Sequence, residues 1–307
     1  MFFPYRAQIT LHRFPIITVL VSLLCIAIYA AQYWNERAIV ESTATYCQRQ
    51  HDPEFRQVLL KLQGGADIGK CMALMFSLYT AKDEKTLIAQ LAKKINKSPQ
   101  GLTNVDRQHE YEDALHTASR SYRRAIPSNL TWRLWYPPDS WNVLRMLSAA
   151  VAHGSWGHLI GNLIFFFAFA ATVEALIGSI LFFILLVSLA LGTHVVYSLV
   201  MLGQSNPLPT LGLSGVVMGV IALFTFFLPN VRIRCLLWLF VFIYRFGIPA
   251  WLLAAWYIGW DLVAQLVNGH DSGINLIAHL SGAALGFGIG LLFFRDKRHW
   301  ARELIEE

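Results

Sequence analysis

Six apolar runs, each long enough to cross about 30 Å of hydrocarbon, constrain this chain more than any other feature. They fall at residues 14–34, 158–177, 180–201, 211–228, 248–267 and 274–294. Composition agrees with a membrane setting: 55% of residues are hydrophobic and 14% charged, whereas soluble domains carry about 25% charged residues. In hydrocarbon a segment must satisfy its backbone polar groups internally, so such runs form helices. The expected fold is an all-α polytopic membrane protein.

Basic residues orient the spans. Arg6 and Arg13 precede the first run, Arg232, Arg234 and Arg245 lie between later ones, and Arg295, Lys297 and Arg298 follow the last. Clusters of this kind flank membrane helices on the cytoplasmic side. An even number of crossings then puts both termini in the cytoplasm, and the expected location is a bacterial plasma (inner) membrane. The net charge of +6 therefore reads as topology and lipid contact, not nucleic-acid binding. Residues 235–244 are apolar but too short to span, and read as an interfacial lead-in to the fifth helix. The first run lacks a small-residue cleavage signature and is expected to remain as an anchor.

Four regions follow: a cytoplasmic N-terminus with the first helix (1–34), a polar insert (35–140), a core of five further helices (141–294) and a cytoplasmic tail (295–307). Helical spacing recurs in the insert at Phe55, Val58, Leu59 and Leu62 and again at Leu87, Ile88, Leu91 and Ile95. Gly64-Gly65 and Ser98-Pro99-Gln100-Gly101 punctuate it as loops. The expectation is an extracytoplasmic cap of three or four helices, with a further one over 106–124. Its two cysteines, Cys47 and Cys71, could pair in an oxidising compartment; two independent buried thiols are the alternative, since spacing does not establish proximity. Trp132, Trp135, Tyr136 and Trp141 suggest a structure in the headgroup layer.

Three polar clusters interrupt the apolar spans. His153-Gly-Ser-Trp-Gly-His158-Leu-Ile-Gly-Asn162 enters the second, Gly212-Leu213-Ser214-Gly215 the fourth, and Asn275 to Gly282, with His279, the sixth. On the orientation above, all three spans enter from outside, so the clusters share one shallow depth and can form one site. Polar and ionisable groups inside a bilayer usually mark function. A serine hydroxyl needs a neighbouring base to become a nucleophile, and His279 could serve Ser214 in this way. His158, the Asn162 amide and the Ser214 backbone N–H could hold the resulting oxyanion. Gly215 and Gly219 on one helix, with Gly282 and Gly286 on another, would permit the close backbone approach that such a split pair requires. Asp261, Asp271 and Asp296 are the aspartates of this region, and none is evidently placed to orient His279, so a Ser–His dyad is the simpler expectation. The five-residue spacing of His153 and His158 does not suit a helical metal pair, and no metal or cofactor is called for.

These motifs, H-G-S-W-G-H-x-x-G-N, G-L-S-G and A-H-L-S-G-x-x-L-G, in that order, resemble the rhomboid intramembrane serine proteases. Ile248-Pro-Ala-Trp251, Arg145 and Glu174 are similar too. The resemblance covers about 141–294, with the first helix completing a six-transmembrane-helix core. It implies Ser214 as nucleophile, His279 as general base, and His158 and Asn162 as oxyanion-stabilising groups. His153, Arg145, Glu174, Gly212, Gly215, Gly282 and Gly286 take supporting roles, and the implied partners are transmembrane protein substrates in the lipid bilayer. Met218 stands where some members place an aromatic residue. The resemblance does not extend to the insert, for which the expectation is either a docking surface for a substrate or partner or a passive stabilising cap.

Overall fold

The computed structural model describes residues 2–7, 14–50, 52–96, 105–204, 207–239, 242–268, 275–298 and 301. The chain is mostly helical. In order it forms β1 (Phe2–Ala7), α1 (Ile16–Arg49), α2 (Pro53–Gln63), α3 (Ile68–Thr80), α4 (Glu84–Ile95), α5 (Val105–Ala125), α6 (Leu130–Leu134) and α7 (Val143–Val151). Then come α8 (Trp156–Ile177), α9 (Ser179–Val200), α10 (Ser214–Phe227), β2 (Arg232–Leu239), β3 (Phe242–Pro249), α11 (Ala250–Asn268) and α12 (Leu276–Phe293). Two compact units result: Met1–Ala30 with Thr131–Glu307, and Ala31–Leu130.

Among the described residues four helices are long and apolar enough to cross a membrane: α1, α8, α9 and α12. The run at 211–228 is a shorter helix than expected, because Leu211 to Leu213 form a loop and α10 starts at Ser214. Its 14 residues rise only about 21 Å. Nearly every α10 residue is buried, from Gly215 through Leu223 to Phe227, so it forms the centre of the first unit. Its own Phe224 and Phe226 share one core with Phe166, Phe169, Phe182 and Leu189.

The all-α expectation needs correction. β1, β2 and β3 form a three-stranded antiparallel sheet in that order, and the stretch read as an interfacial lead-in is part of the β2–β3 hairpin. Its register runs from Arg232 opposite Pro249 to Leu239 opposite Phe242. The physical reason is a period of two: Arg232 and Arg234 are exposed while Ile233 and Cys235 are buried, the alternation of a strand with one face on the core. Pro4, which has no N–H to give a ladder, is tolerated because β1 lies at the sheet edge, and the β1–β2 register shifts between Pro4 and Arg6.

The second unit, the expected cap, is a small helical bundle built by ordinary amphipathic packing. Phe55, Val58, Leu59, Leu74, Met75, Leu78, Ile88, Leu115 and Tyr122 form its buried side. Asp52, Asp67 and Asp83 cap α2, α3 and α4 by accepting from backbone N–H groups of the first turn, which satisfies donors that have no intrahelical partner. Cys47 and Cys71 are joined by a disulfide, with Cα atoms 5.9 Å apart. Glu84 accepts from Arg123 Nε (3.1 Å) and Nη2 (2.7 Å) and from Ser119 Oγ. Burial raises the Glu84 pKa, but the Ser119 and Arg123 hydrogen bonds and the guanidinium charge outweigh this and leave it below its ordinary value. The Ser98–Gly101 loop lies outside the described residues.

The aromatic stretch after the cap divides. Trp132 and Trp135 stack at 5.8 Å and Trp141 is exposed, but Tyr136 is fully buried against Met146, Ala149 and Tyr197. Its backbone pairs with Thr210 through two 2.9 Å hydrogen bonds. That bridge anchors the loop leading into α10.

Candidate active site

Ser214 is the first residue of α10, and the preceding Leu213 offers no side-chain cap. The first N–H groups of a helix have no intrahelical acceptor, so this end of α10 is a set of donors. Gly212 sets the path into it. Its φ of 125° is rarely open to L side chains, and a Cβ there would lie 2.7 Å from His158 Cε1, 2.8 Å from His158 Nε2 and 3.8 Å from Asn162 Nδ2. The Gly212 N–H donates to Ala149 O at 2.8 Å. Only glycine can bring this backbone against the imidazole and the amide.

His158 and Asn162 lie one turn apart on α8. Asn162 Nδ2 is buried and has no hydrogen-bond partner among the described residues, an expensive condition unless some other group uses the donor. His153, in the loop before α8, packs edge-on against His158 with ring centroids 5.2 Å apart. Burial, then the nearby charge of His158, pushes the His153 pKa down to about 4.

α10 packs most extensively against α12. A Cβ at Gly282 would fall 2.0 Å from Gly215 O, and one at Gly286 would fall 2.0 Å from Gly219 O. A Cβ at Gly215 would fall 3.0 Å from Ala278 O, the residue before His279. The two backbones therefore touch beside Ser214 and His279. Asn275 caps α12 by accepting from the Ala278 N–H at 2.9 Å and donates to Thr210 Oγ1 at 2.9 Å, which ties the starts of α10 and α12 together.

Glu174 is buried, and its carboxylate accepts from Ile17 N, Thr18 N, Thr18 Oγ1 and Ser179 Oγ at 2.7–2.9 Å. It caps the start of α1 and joins it to the α8–α9 turn, well away in sequence from the serine. Arg145 takes part through its backbone, which α7's cap Asn142 accepts from at 3.1 Å. Among the described residues no three His, Cys, Asp or Glu side chains gather as metal ligands would.

The Rhomboid domain model matches residues 140–296, which takes in every one of these site residues on α7 through α12. The chain belongs to the rhomboid family. No curated protein and no solved structure matches it. In this rhomboid-family membrane protein one contact beside these residues does not follow from the sequence. Asp261 on α11 accepts a 2.8 Å hydrogen bond from His279 Nδ1, with both side chains about five-sixths buried, at 17% and 16% exposure. Sequence reasoning set Asp261 aside, because 18 residues separate it from His279 and nothing in spacing shows how two helices face each other. The available signal was an aspartate inside an apolar span, which by itself asks for a partner. Asp271 lies outside the described residues.

Proposed function

We propose that this protein is an intramembrane serine endopeptidase that hydrolyses peptide bonds in or near transmembrane segments of other membrane proteins. In this reading the six helices α1, α8, α9, α10, α11 and α12 form the membrane core, with both termini cytoplasmic. The cap and the site opening are extracytoplasmic, a placement favoured by the Cys47–Cys71 disulfide, since such bonds persist in oxidising compartments. The observation that carries the proposal is the buried, unpartnered Asn162 amide beside Gly212 and the uncapped start of α10. A preorganised donor without an acceptor is what a developing oxyanion needs.

The Ser214 hydroxyl attacks the scissile carbonyl carbon while His279 Nε2 takes its proton. Negative charge moves to the carbonyl oxygen, where the Asn162 amide, His158 and the Ser214 N–H stabilise it. Collapse of the tetrahedral intermediate breaks the C–N bond, and the His279 imidazolium returns the proton to the leaving amine. Water, deprotonated by His279, then hydrolyses the acyl-enzyme and regenerates Ser214. Because α10 is shorter than the hydrocarbon is thick, its first residue lies below the outer surface. The substrate must therefore unwind locally to present a bond freed from its own helical hydrogen bonds. The cap serves either as a docking surface or as a stabilising cover; deleting residues 35–124 and finding unchanged cleavage of several substrates would exclude docking.

Cleavage of a fluorescent single-span reporter in reconstituted vesicles tests the reaction. Wild type should cleave, and Ser214→Ala and His279→Ala should each lose activity by 10³-fold or more, on the order seen when one member of such a unit is removed. Equal cleavage by all three would refute the assignment.

A further inference from the structure

We propose that Asp261 is a positioning residue for His279, so that this chain works with a Ser214–His279–Asp261 relay of contacts. The proposal rests on the protease reading above. An ionised carboxylate can only accept hydrogen bonds, so in the 2.8 Å contact His279 Nδ1 is the donor. A neutral imidazole carries one N–H. Fixing that proton on Nδ1 leaves the lone pair on Nε2, the nitrogen that must take the Ser214 proton. The carboxylate also fixes the ring plane and stabilises the imidazolium that forms during attack.

The surroundings make the contact specific. α12 is anchored beside Ser214 by the Gly215–Gly282 approach, and Asn275 fixes its first turn. The ring of His279 thus has a defined origin, and Asp261 reaches it from a different helix. On α11, Tyr257 lies one turn before Asp261 and packs edge-on against Phe165 of α8 at 4.9 Å, which sets the rotation of α11 about its axis. Asp261 is flanked by the apolar residues Trp260, Leu262 and Val263, all exposed. A carboxylate in such a run is costly without a partner, and His279 is the partner it has.

The test uses the full-length protein labelled with ¹⁵N-histidine in detergent micelles, at a pH where the imidazole is neutral. The His279 signals are assigned by their absence from His279→Gln. Wild type should hold His279 as the Nδ1–H tautomer, and Asp261→Asn should move it toward the Nε2–H tautomer. A wild-type ring that is mainly Nε2–H would overturn the proposal, and this reading does not depend on whether any Asp261 variant folds. In reporter cleavage, Asp261→Asn should lower kcat by about 100-fold, the lower end of general-base effects, with KM unchanged. Asp261→Glu should recover part of the loss. Wild-type kcat in Asp261→Asn would overturn the positioning role. The two readings fail separately: a wild type that cleaves nothing while His279 stays in the Nδ1–H form counts against the protease and leaves the positioning geometry standing.

Discussion

The two units of this chain are held together by opposite means. In the cap, apolar side chains at helical spacing pack behind a polar outer face, Asp52, Asp67 and Asp83 close helix starts, and a disulfide and the Glu84–Arg123 pair fasten the ends. In the α10–α12 pair α10 is buried almost throughout and the exposed face of α12 is itself apolar, so burial of apolar surface cannot tell inside from outside. Missing side chains do that work: Gly215, Gly219, Gly282 and Gly286 let backbones meet, and dispersion between close-packed backbones replaces the hydrophobic effect. A unit of the first kind tolerates small changes in volume. One of the second kind does not, and Ser214 and His279 sit beside the contact that tolerates change least.

The largest expected effect breaks that contrast directly. Gly282→Ala places a methyl 2.0 Å from Gly215 O, where the neighbour is backbone and cannot turn aside. The loss should reach about 3 kcal/mol, the upper end of overpacking costs, and should abolish cleavage because Ser214 and His279 flank the contact. Gly288→Ala, with nothing within 4 Å of its Cβ, should be neutral or slightly stabilising in the same thermal-unfolding measurement in detergent. Equal midpoints for the two variants would show that close approach is not what holds α10 to α12.

The cap should answer to covalent chemistry instead. Cys47→Ser opens a cross-link between residues 24 apart, which should remove about 3 kcal/mol of cap stability by freeing the unfolded chain. Limited proteolysis should then cut within residues 52–125 while leaving the α8–α12 region intact. Simultaneous loss of both regions would show that they do not unfold separately.

Acid should separate the units next. The folded pKa of His153, about 4, lies below its ordinary 6.5, so the unfolded chain binds the extra proton across that interval. Stability of the first unit should therefore fall as pH drops from 6.5 to 4, by up to roughly 3 kcal/mol, and His153→Phe should flatten the slope. Glu84 is also depressed, from 4.5, so its contribution to the cap is present above that pH and is lost only below it. Circular dichroism melts across pH 4–7 should show the first unit weakening before the cap. A cap that weakens first would contradict the assignment of these two groups.

How much of this was legible in the sequence depends on the kind of signal. The spans at 158–177 and 180–201 emerge as α8 and α9 within two residues, because length and apolarity report themselves locally. The helices at Phe55–Leu62 and Leu87–Ile95 are legible for the same reason. Ser214, His158, Asn162 and His279 were singled out from motif and shared depth. The β2–β3 hairpin was missed although Arg232-Ile233-Arg234-Cys235 carries its period of two, because a short apolar run is ambiguous between strand and helix. The contact between Asp261 and His279 could not be read at all: it depends on the rotation of two helices about their axes, which packing fixes and sequence spacing does not. Tyr136, expected at the headgroups, is buried for a related reason, since its backbone bridge to Thr210 joins segments more than seventy residues apart.

The central claim is that Ser214 is a nucleophile activated by His279. Fluorophosphonate labelling of the protein in vesicles, with the modified residue identified by mass spectrometry, tests it without assuming any substrate. The account predicts a single adduct on Ser214, formed by wild type and lost in His279→Ala while that variant keeps its thermal midpoint. Labelling elsewhere, or labelling of Ser214 at an undiminished rate in His279→Ala, would contradict it.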